Sequence, residues 1–198
     1  MPASTQLSLC FPPNEEFLID AIDESAEEEG LIINNDFEKL YRAFCPGPIT
    51  FVLKKKKKSK ISKKATAGKK TVAVRIPKHK VIRNLLSKLK FPLAAPSANV
   101  SSKLSPTSAQ DVFDEFGTKI KFILNGGRCN IGLESTIIDL TGRPSVLRPG
   151  SINVEKIQKI LKKKIKIKKN IKKVKAPGQL KFHYSPGIPL EMNKNYAK

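Results

Sequence analysis

Apolar and polar positions change period several times along the chain, and each change marks a predicted element. In the first thirteen residues, MPASTQLSLCFPP, apolar positions alternate as they do in a strand. Residues 14–29 are acidic and carry Phe17, Leu18, Ala21, Ile22 and Ala26 at helical spacing, which predicts an amphipathic helix. Asn35 and Asp36 introduce a second helix over residues 37–44, stopped by Cys45-Pro46-Gly47-Pro48. Residues 49–53 and 71–76 read as two strands, predicted to pair antiparallel across a long exposed loop. A short helix follows over 81–89.

The stretch FPLAAPSANVSSKLSPT, residues 91–107, reads as a buried strand at 92–95 broken by Pro96. It then presents Ser97, Asn99, Ser101, Ser102 and Ser105. Small polar side chains after a short apolar run are what the carboxyl end of an α/β strand offers a ligand, although an ordinary serine-rich loop reads the same way. Thr107 with Gln110 three residues on predicts a capping box for a helix ending at Phe116. Strands are predicted at 120–124, ending in Asn125-Gly126-Gly127, and at 135–140 and 145–147 around a Thr141-Gly142 turn. A helix over 153–161 runs into a segment that alternates Lys with Ile, readable as strand or linker. A Pro/Gly-punctuated tail covers 176–189. Strands mixed with helices, without internal repeat, imply an α/β or α+β sheet.

Composition adds limits. A length of 198 residues, 39% hydrophobic with a mean hydropathy of −0.30, suits one soluble domain. No apolar run reaches membrane-spanning length and no signal-peptide pattern opens the chain, so a cytoplasmic protein without membrane contact is expected. Cys10, Cys45 and Cys129 are odd in number and widely spaced, which points to a reducing compartment and to neither disulfides nor a zinc site. The net charge of +21 is local: residues 54–70 hold ten lysines and 162–175 hold nine, with no acid in either run. The remainder carries only about +2. Both runs are readable as solvated lysine segments or as contacts to RNA or another polyanion. No aromatics interleave with the lysines, so base stacking is not implied.

Several polar residues stand at strand ends. Arg75, between Val74 and Ile76, is either an edge-strand arginine or a guanidinium fork for a carboxylate or phosphate. Glu134-Ser135-Thr136 opens one apolar strand and Arg148-Pro149-Gly150 closes another. In the tail, His183 and Tyr184 with their neighbours read as a lid over a site, whereas His79, between two lysines, reads as solvated. No G-x-S-x-G, Walker, HExxH or paired-cysteine motif is present, so an enzyme built on this chain works by positioning and charge stabilisation.

The segments FCPGPITFVL, TVAVRIPKH, APSANVSSKLSPT, LESTIIDL, VLRPGSI and APGQLKFHYSP resemble, in order and spacing, the YrdC/Sua5 family from about residue 36 to residue 186. That resemblance implies an open twisted mixed sheet with a large concave cavity, spanning a domain at 1–161. A basic linker and active-site loop at 162–198 would lead toward the second domain of the longer family type. It also implies an L-threonylcarbamoyladenylate synthase, a nucleotidyltransferase that makes threonylcarbamoyl-AMP and pyrophosphate from L-threonine, bicarbonate and ATP with Mg²⁺. The product feeds t6A modification of tRNA by a downstream transferase. Carried across by motif, Arg75, Ala95 and Ser135 would contact threonine. Thr71, Ser97, Asn99, Ser105, Arg148 and Tyr184 would contact ATP, with His183 beside Tyr184 in the lid. Arg75, Arg148 and Ser97 would be catalytic, and no metal site is expected on the protein. The family's opening strand–helix–strand unit, with its Thr-x-Tyr-Gly-Leu and Lys-x-Arg-Pro motifs, is not found here, and Cys10 stands where a histidine is usual. An incomplete domain of impaired activity is therefore expected. A tRNA-binding module without catalysis is the alternative, with the lysine runs as its contacts.

Overall fold

Val52, Phe51, Val72 and Ala73 are completely buried and lie on two neighbouring strands, β3 (Ile49–Lys55) and β4 (Thr71–Arg75). The computed structural model describes residues 8–10, 30–89, 91–95, 98–99 and 104–168. β3 and β4 pair antiparallel from Thr50 opposite Arg75 to Lys54 opposite Thr71, as their alternation predicts. On the other side of β3, strand β6 (Thr136–Asp139) runs parallel to it. β7 (Ser145–Arg148) returns antiparallel beside β6, with a bulge at Ile137/Ile138. β8 (Lys166–Ile167) closes that edge parallel to β7. Beyond β4 lie β1 (Ser8–Cys10), parallel to it, and β5 (Leu93–Ala95), antiparallel to β1. The order is β5-β1-β4-β3-β6-β7-β8, and β2 (Leu31–Ile32) pairs with the carboxyl end of β3. The sheet is mixed and open, as expected.

Helices α1 (Asn35–Phe44) and α4 (Val154–Leu161) cover one face. Phe37 and Leu40 from α1 and Ile157 and Leu161 from α4 join Phe51, Leu53, Val72, Val74 and Ile138 in the main core. Phe37 meets Phe51 edge to face at 4.9 Å. On the opposite face, Val52, Ala73, Ile137 and Leu147 form a second, smaller cluster. The two remaining helices are short: α2 (Lys80–Leu86) and α3 (Ala109–Phe116), the latter followed by a 3₁₀ turn at Gly117–Lys119.

Five expectations shift. The cap of α1 is Asn34, one residue earlier: its side chain accepts from Phe37 N at 3.0 Å and donates to Leu140 O at 3.0 Å, tying the helix to the sheet. The capping box of α3 pairs Ser108 with Asp111 instead of Thr107 with Gln110, because the Asp111 carboxylate accepts from the backbone of both Thr107 and Ser108. Those donors hold the Asp111 carboxyl down at about 2. α2 stops at Leu86, short of Leu89. β5 is an edge strand with Ala94 and Ala95 exposed, so it is not the buried strand that its apolar run implies. Residues 121–129 form no strand, and Phe122 is 88% exposed: the alternation is there, but no described strand pairs with it. The helix predicted at 14–29, most of the first thirteen residues and the 176–189 tail lie outside the described residues.

Past residue 161 the sheet continues. Ile165 is buried in the main core and β8 follows at once, so the start of the second lysine run is part of the sheet.

Candidate active site

The strand ends gather a polar cluster on the face away from α1 and α4. Thr50 stands opposite Arg75 on β4 and opposite Ile137 on β6, and Ser135 lies two residues before Ile137 on that same face. The Thr50 and Ser135 hydroxyls meet at 2.8 Å, both fully buried. Arg148, at the end of β7 and in register with Ile137, reaches across to this pair. Its Nε and Nη2 donate to the Ser135 carbonyl at 3.1 and 2.9 Å, and Nη2 also donates to Ser135 Oγ at 3.1 Å. Nη1 forms an ion pair with Glu134 Oε2, and the other Glu134 oxygen accepts from Ser105 Oγ at 2.8 Å. Four loop or strand segments are thereby joined: Thr50, Ser105, Glu134-Ser135 and Arg148.

The backbone behind this cluster is tightly fitted. A Cβ on Gly150 would lie 2.4 Å from the Glu134 carbonyl oxygen and 2.6 Å from Thr136 N, so only glycine lets the turn after Arg148 pass there. Thr136 Oγ1 donates to Ile152 O at 2.7 Å and Thr136 N to Pro48 O at 3.0 Å, which fixes both flanking turns to the start of β6. Gly47 N donates to Ile76 O at 2.9 Å, holding the turn before β3 against the residue after Arg75. Burial pushes the nearby Cys45 thiol up to about 12, although the Arg75 charge pulls the other way.

Of the residues named from the sequence, Ser105, Ser135 and Arg148 are in direct contact through this network, and Arg75 stands one strand away from its Thr50 member. Ala95 is in register with Ser8 and, through it, with Ala73, about 10 Å across two strand spacings. Thr71 sits at the other end of β4, about 13 Å along the strand from Arg75. Asn99 is half-buried. Ser97, His183 and Tyr184 lie outside the described residues.

His79 is not merely solvated. Its Nε2 lies 3.0 Å from Gly126 O, and a Cβ on Gly126 would meet the ring at 2.8 Å, so His79 braces the Asn125-Gly126-Gly127 turn. Two members of the cluster carry no role in the sequence reading. Thr50 is a hydroxyl in an apolar strand, a detectable signal on its own. Glu134 stands beside Ser135, but nothing local reveals that Arg148 is its partner. Among the described residues no group of three or more His, Cys, Asp or Glu side chains comes together, and no helix is long and apolar enough to cross a membrane.

A family model described as telomere recombination (Sua5, YciO and YrdC) matches residues 13–150. The chain belongs to this Sua5/YciO/YrdC family. A threonylcarbamoyl-AMP synthase of Pyrococcus abyssi is 44% identical over 164 residues, covering 80% of this chain and 47% of the relative. A threonylcarbamoyl-AMP synthase of Schizosaccharomyces pombe is 36% identical over 189 residues, covering 89% and 46%. The chain thus spans about half the length of these relatives. In three dimensions, the crystal structure of P. abyssi Sua5 complexed with L-threonine is similar with a TM-score of 0.79 at 38% identity, covering 93% of this chain and 52% of that one. Escherichia coli YciO shares the fold, with a TM-score of 0.58 at 21% identity over 78% of this chain and 70% of its own. The open mixed sheet is therefore the family fold.

Proposed function

We propose that this Sua5/YciO/YrdC chain carries an L-threonylcarbamoyladenylate synthase site. The threonine amine and bicarbonate form a carbamate with loss of water. A carbamate oxygen attacks the α-phosphorus of ATP, the bond to the β-phosphate oxygen breaks, and pyrophosphate leaves. The single observation that carries the reading is the network joining Ser105, Ser135 and Arg148 through Glu134 and Thr50, because the predicted binding residues come from separate segments. Similarity to a Sua5 protein crystallised with L-threonine supports the substrate.

In this reading Arg75 pairs with the threonine carboxylate, and Ser135 and the Ala95 backbone hold the amino acid beside it. Arg148, oriented by Glu134 and Ser135, offsets charge building at the phosphates, with Ser105, Asn99, Ser97 and Thr71 along the nucleotide. His183 and Tyr184 close over both. ATP enters as its Mg²⁺ complex. Glu134 is already engaged by Arg148 and Ser105, so the cluster itself offers no free carboxylate for a metal. The product would serve t6A formation on tRNA by a separate cytoplasmic transferase.

Calorimetric titration with L-threonine and with ATP tests these roles. Arg75→Gln is expected to weaken threonine at least about tenfold and to spare ATP, while Arg148→Gln does the reverse, since each removes one charged hydrogen-bonding partner. Affinities unchanged in both variants would overturn the reading.

A further inference from the structure

Glu134 holds two of the residues proposed to meet the nucleotide, one on each carboxylate oxygen. Ser105 Oγ donates to Oε1 at 2.8 Å, and the Arg148 guanidinium pairs with Oε2. Both bonds have a fixed direction, since an ionised carboxylate can only accept. They leave the two partners with opposite capacities. A serine hydroxyl has one proton and two lone-pair sites, so Ser105, its proton spent on Glu134, faces a ligand with lone pairs alone. Arg148 has no lone pair to offer and faces a ligand with N–H.

The segment around Ser105 is fastened in place. Ser105 is half-buried, and its bond to a charged acceptor is stronger than a neutral one. Two residues on, Thr107 O accepts from Cys129 N at 2.8 Å, while Thr107 N and Oγ1 donate to Asp111 Oδ2 at 2.8 and 2.9 Å. Arg148 is held on its own side by the Ser135 carbonyl. To donate to a phosphate oxygen, Ser105 would have to abandon Glu134, exchanging one charged acceptor for another. A phosphate on that side would also meet the Glu134 charge, and like charges disfavour the contact.

We propose that Glu134 is a positioning residue that sorts the nucleotide by hydrogen-bond polarity: Arg148 takes the phosphates, and Ser105 accepts from an N–H or O–H of the nucleoside. Two donors fit that description, the 6-amino group of adenine and a ribose hydroxyl. Against an acceptor-only contact, a base that presents a carbonyl in place of the amine is rejected. The identity of the ligand as ATP rests on the synthase reading; the polarity of Ser105 rests on its bond to Glu134.

Calorimetric titration of the whole chain with ATP, ITP, 2′-deoxy-ATP, 3′-deoxy-ATP and inorganic triphosphate tests it, with and without Mg²⁺. One of the nucleotide analogues is expected to bind at least about fivefold more weakly than ATP. Which one does so names the donor: ITP the adenine amine, a deoxy analogue the ribose hydroxyl. Ser105→Ala should lose that discrimination and bind inorganic triphosphate as before. Glu134→Gln trades an acceptor oxygen for an N–H₂ that can face Ser105 and release its proton, so the discrimination should shrink in this variant too. A merely structural Glu134 would instead weaken ATP and its analogues alike. Equal loss of ATP and inorganic triphosphate in Ser105→Ala, a loss seen only with Mg²⁺, or analogues that all bind as ATP does would overturn the proposal. No ATP binding at all would overturn it together with the synthase reading. The expected discrimination in a chain that binds no threonine would count against the synthase reading alone.

Discussion

Arg148 grips the carbonyl oxygen of Ser135 with two of its N–H groups, Nε at 3.1 Å and Nη2 at 2.9 Å. A guanidinium held this way has its plane set by the protein before any ligand arrives, and the Glu134 carboxylate fixes its other edge. Of the five N–H groups, one on Nη1 is left over by these contacts, which is the donor available to a phosphate. Preorganisation, more than excess charge, is what this cluster supplies.

Glu134→Gln keeps the shape and the hydrogen bonding but removes the ion pair. The pair is partly exposed, so the expected loss is about 1 kcal/mol in urea unfolding, and Glu134→Ala, which also strips Ser105 of its acceptor, should cost more. Stability unchanged in both would mean that Glu134 does not hold Arg148.

The buried Thr50–Ser135 hydroxyl pair gives a second test. Ser135→Ala leaves Thr50 Oγ1 without this partner in a dry site, at a cost of about 1–3 kcal/mol. Adding Thr50→Val should recover part of that loss, because both polar groups are then gone. Simple additivity of the two substitutions would contradict the contact.

Gly150→Ala forces a methyl against the Glu134 carbonyl and the Thr136 amide. Neither neighbour is a flexible side-chain end, so the turn must move, with an expected destabilisation of about 2 kcal/mol. ATP affinity should fall with it, since Arg148 sits two residues before. Wild-type stability together with wild-type affinity would show that the turn is not fitted as described.

The Cys45 thiol, raised by burial from 9.0 to about 12, should resist alkylation at pH 8 in the folded chain while exposed Cys129 reacts. The linkage has a definite sign. In the unfolded chain the thiol loses its proton near 9, whereas in the folded chain it keeps it to about 12. Cys45 therefore contributes stability that is fully present below pH 9 and is lost as pH rises toward 12. Peptide mapping after timed alkylation, alongside a Cys45→Ala unfolding curve in alkali, checks both. Equal labelling of Cys45 and Cys129 would contradict the burial.

The central strands were legible because their apolar alternation coincides with real pairing: 49–53, 71–76, 135–140 and 145–147 all lie on strands whose partners the pattern also implied. Residues 120–124 show the converse, since a period of two gives a strand a face but cannot give it a neighbour. The capping error at Thr107 arose from chemistry one residue away, where one Asp111 carboxylate oxygen, Oδ2, accepts from three donors on Thr107 and Ser108. In the site, Ser105, Ser135 and Arg148 were visible as polar residues at strand ends. Thr50 stood out as a hydroxyl in an apolar strand, but its role and that of Glu134 were not legible, because they depend on partners 85 and 14 residues away.

Pyrophosphate release from ATP in the presence of Mg²⁺, with threonine and bicarbonate omitted in turn, tests the central claim most directly. Release that requires both co-substrates and is abolished by Arg75→Gln is the predicted result. No release with all three substrates present, or release indifferent to threonine, would contradict a threonylcarbamoyladenylate synthase site in this chain.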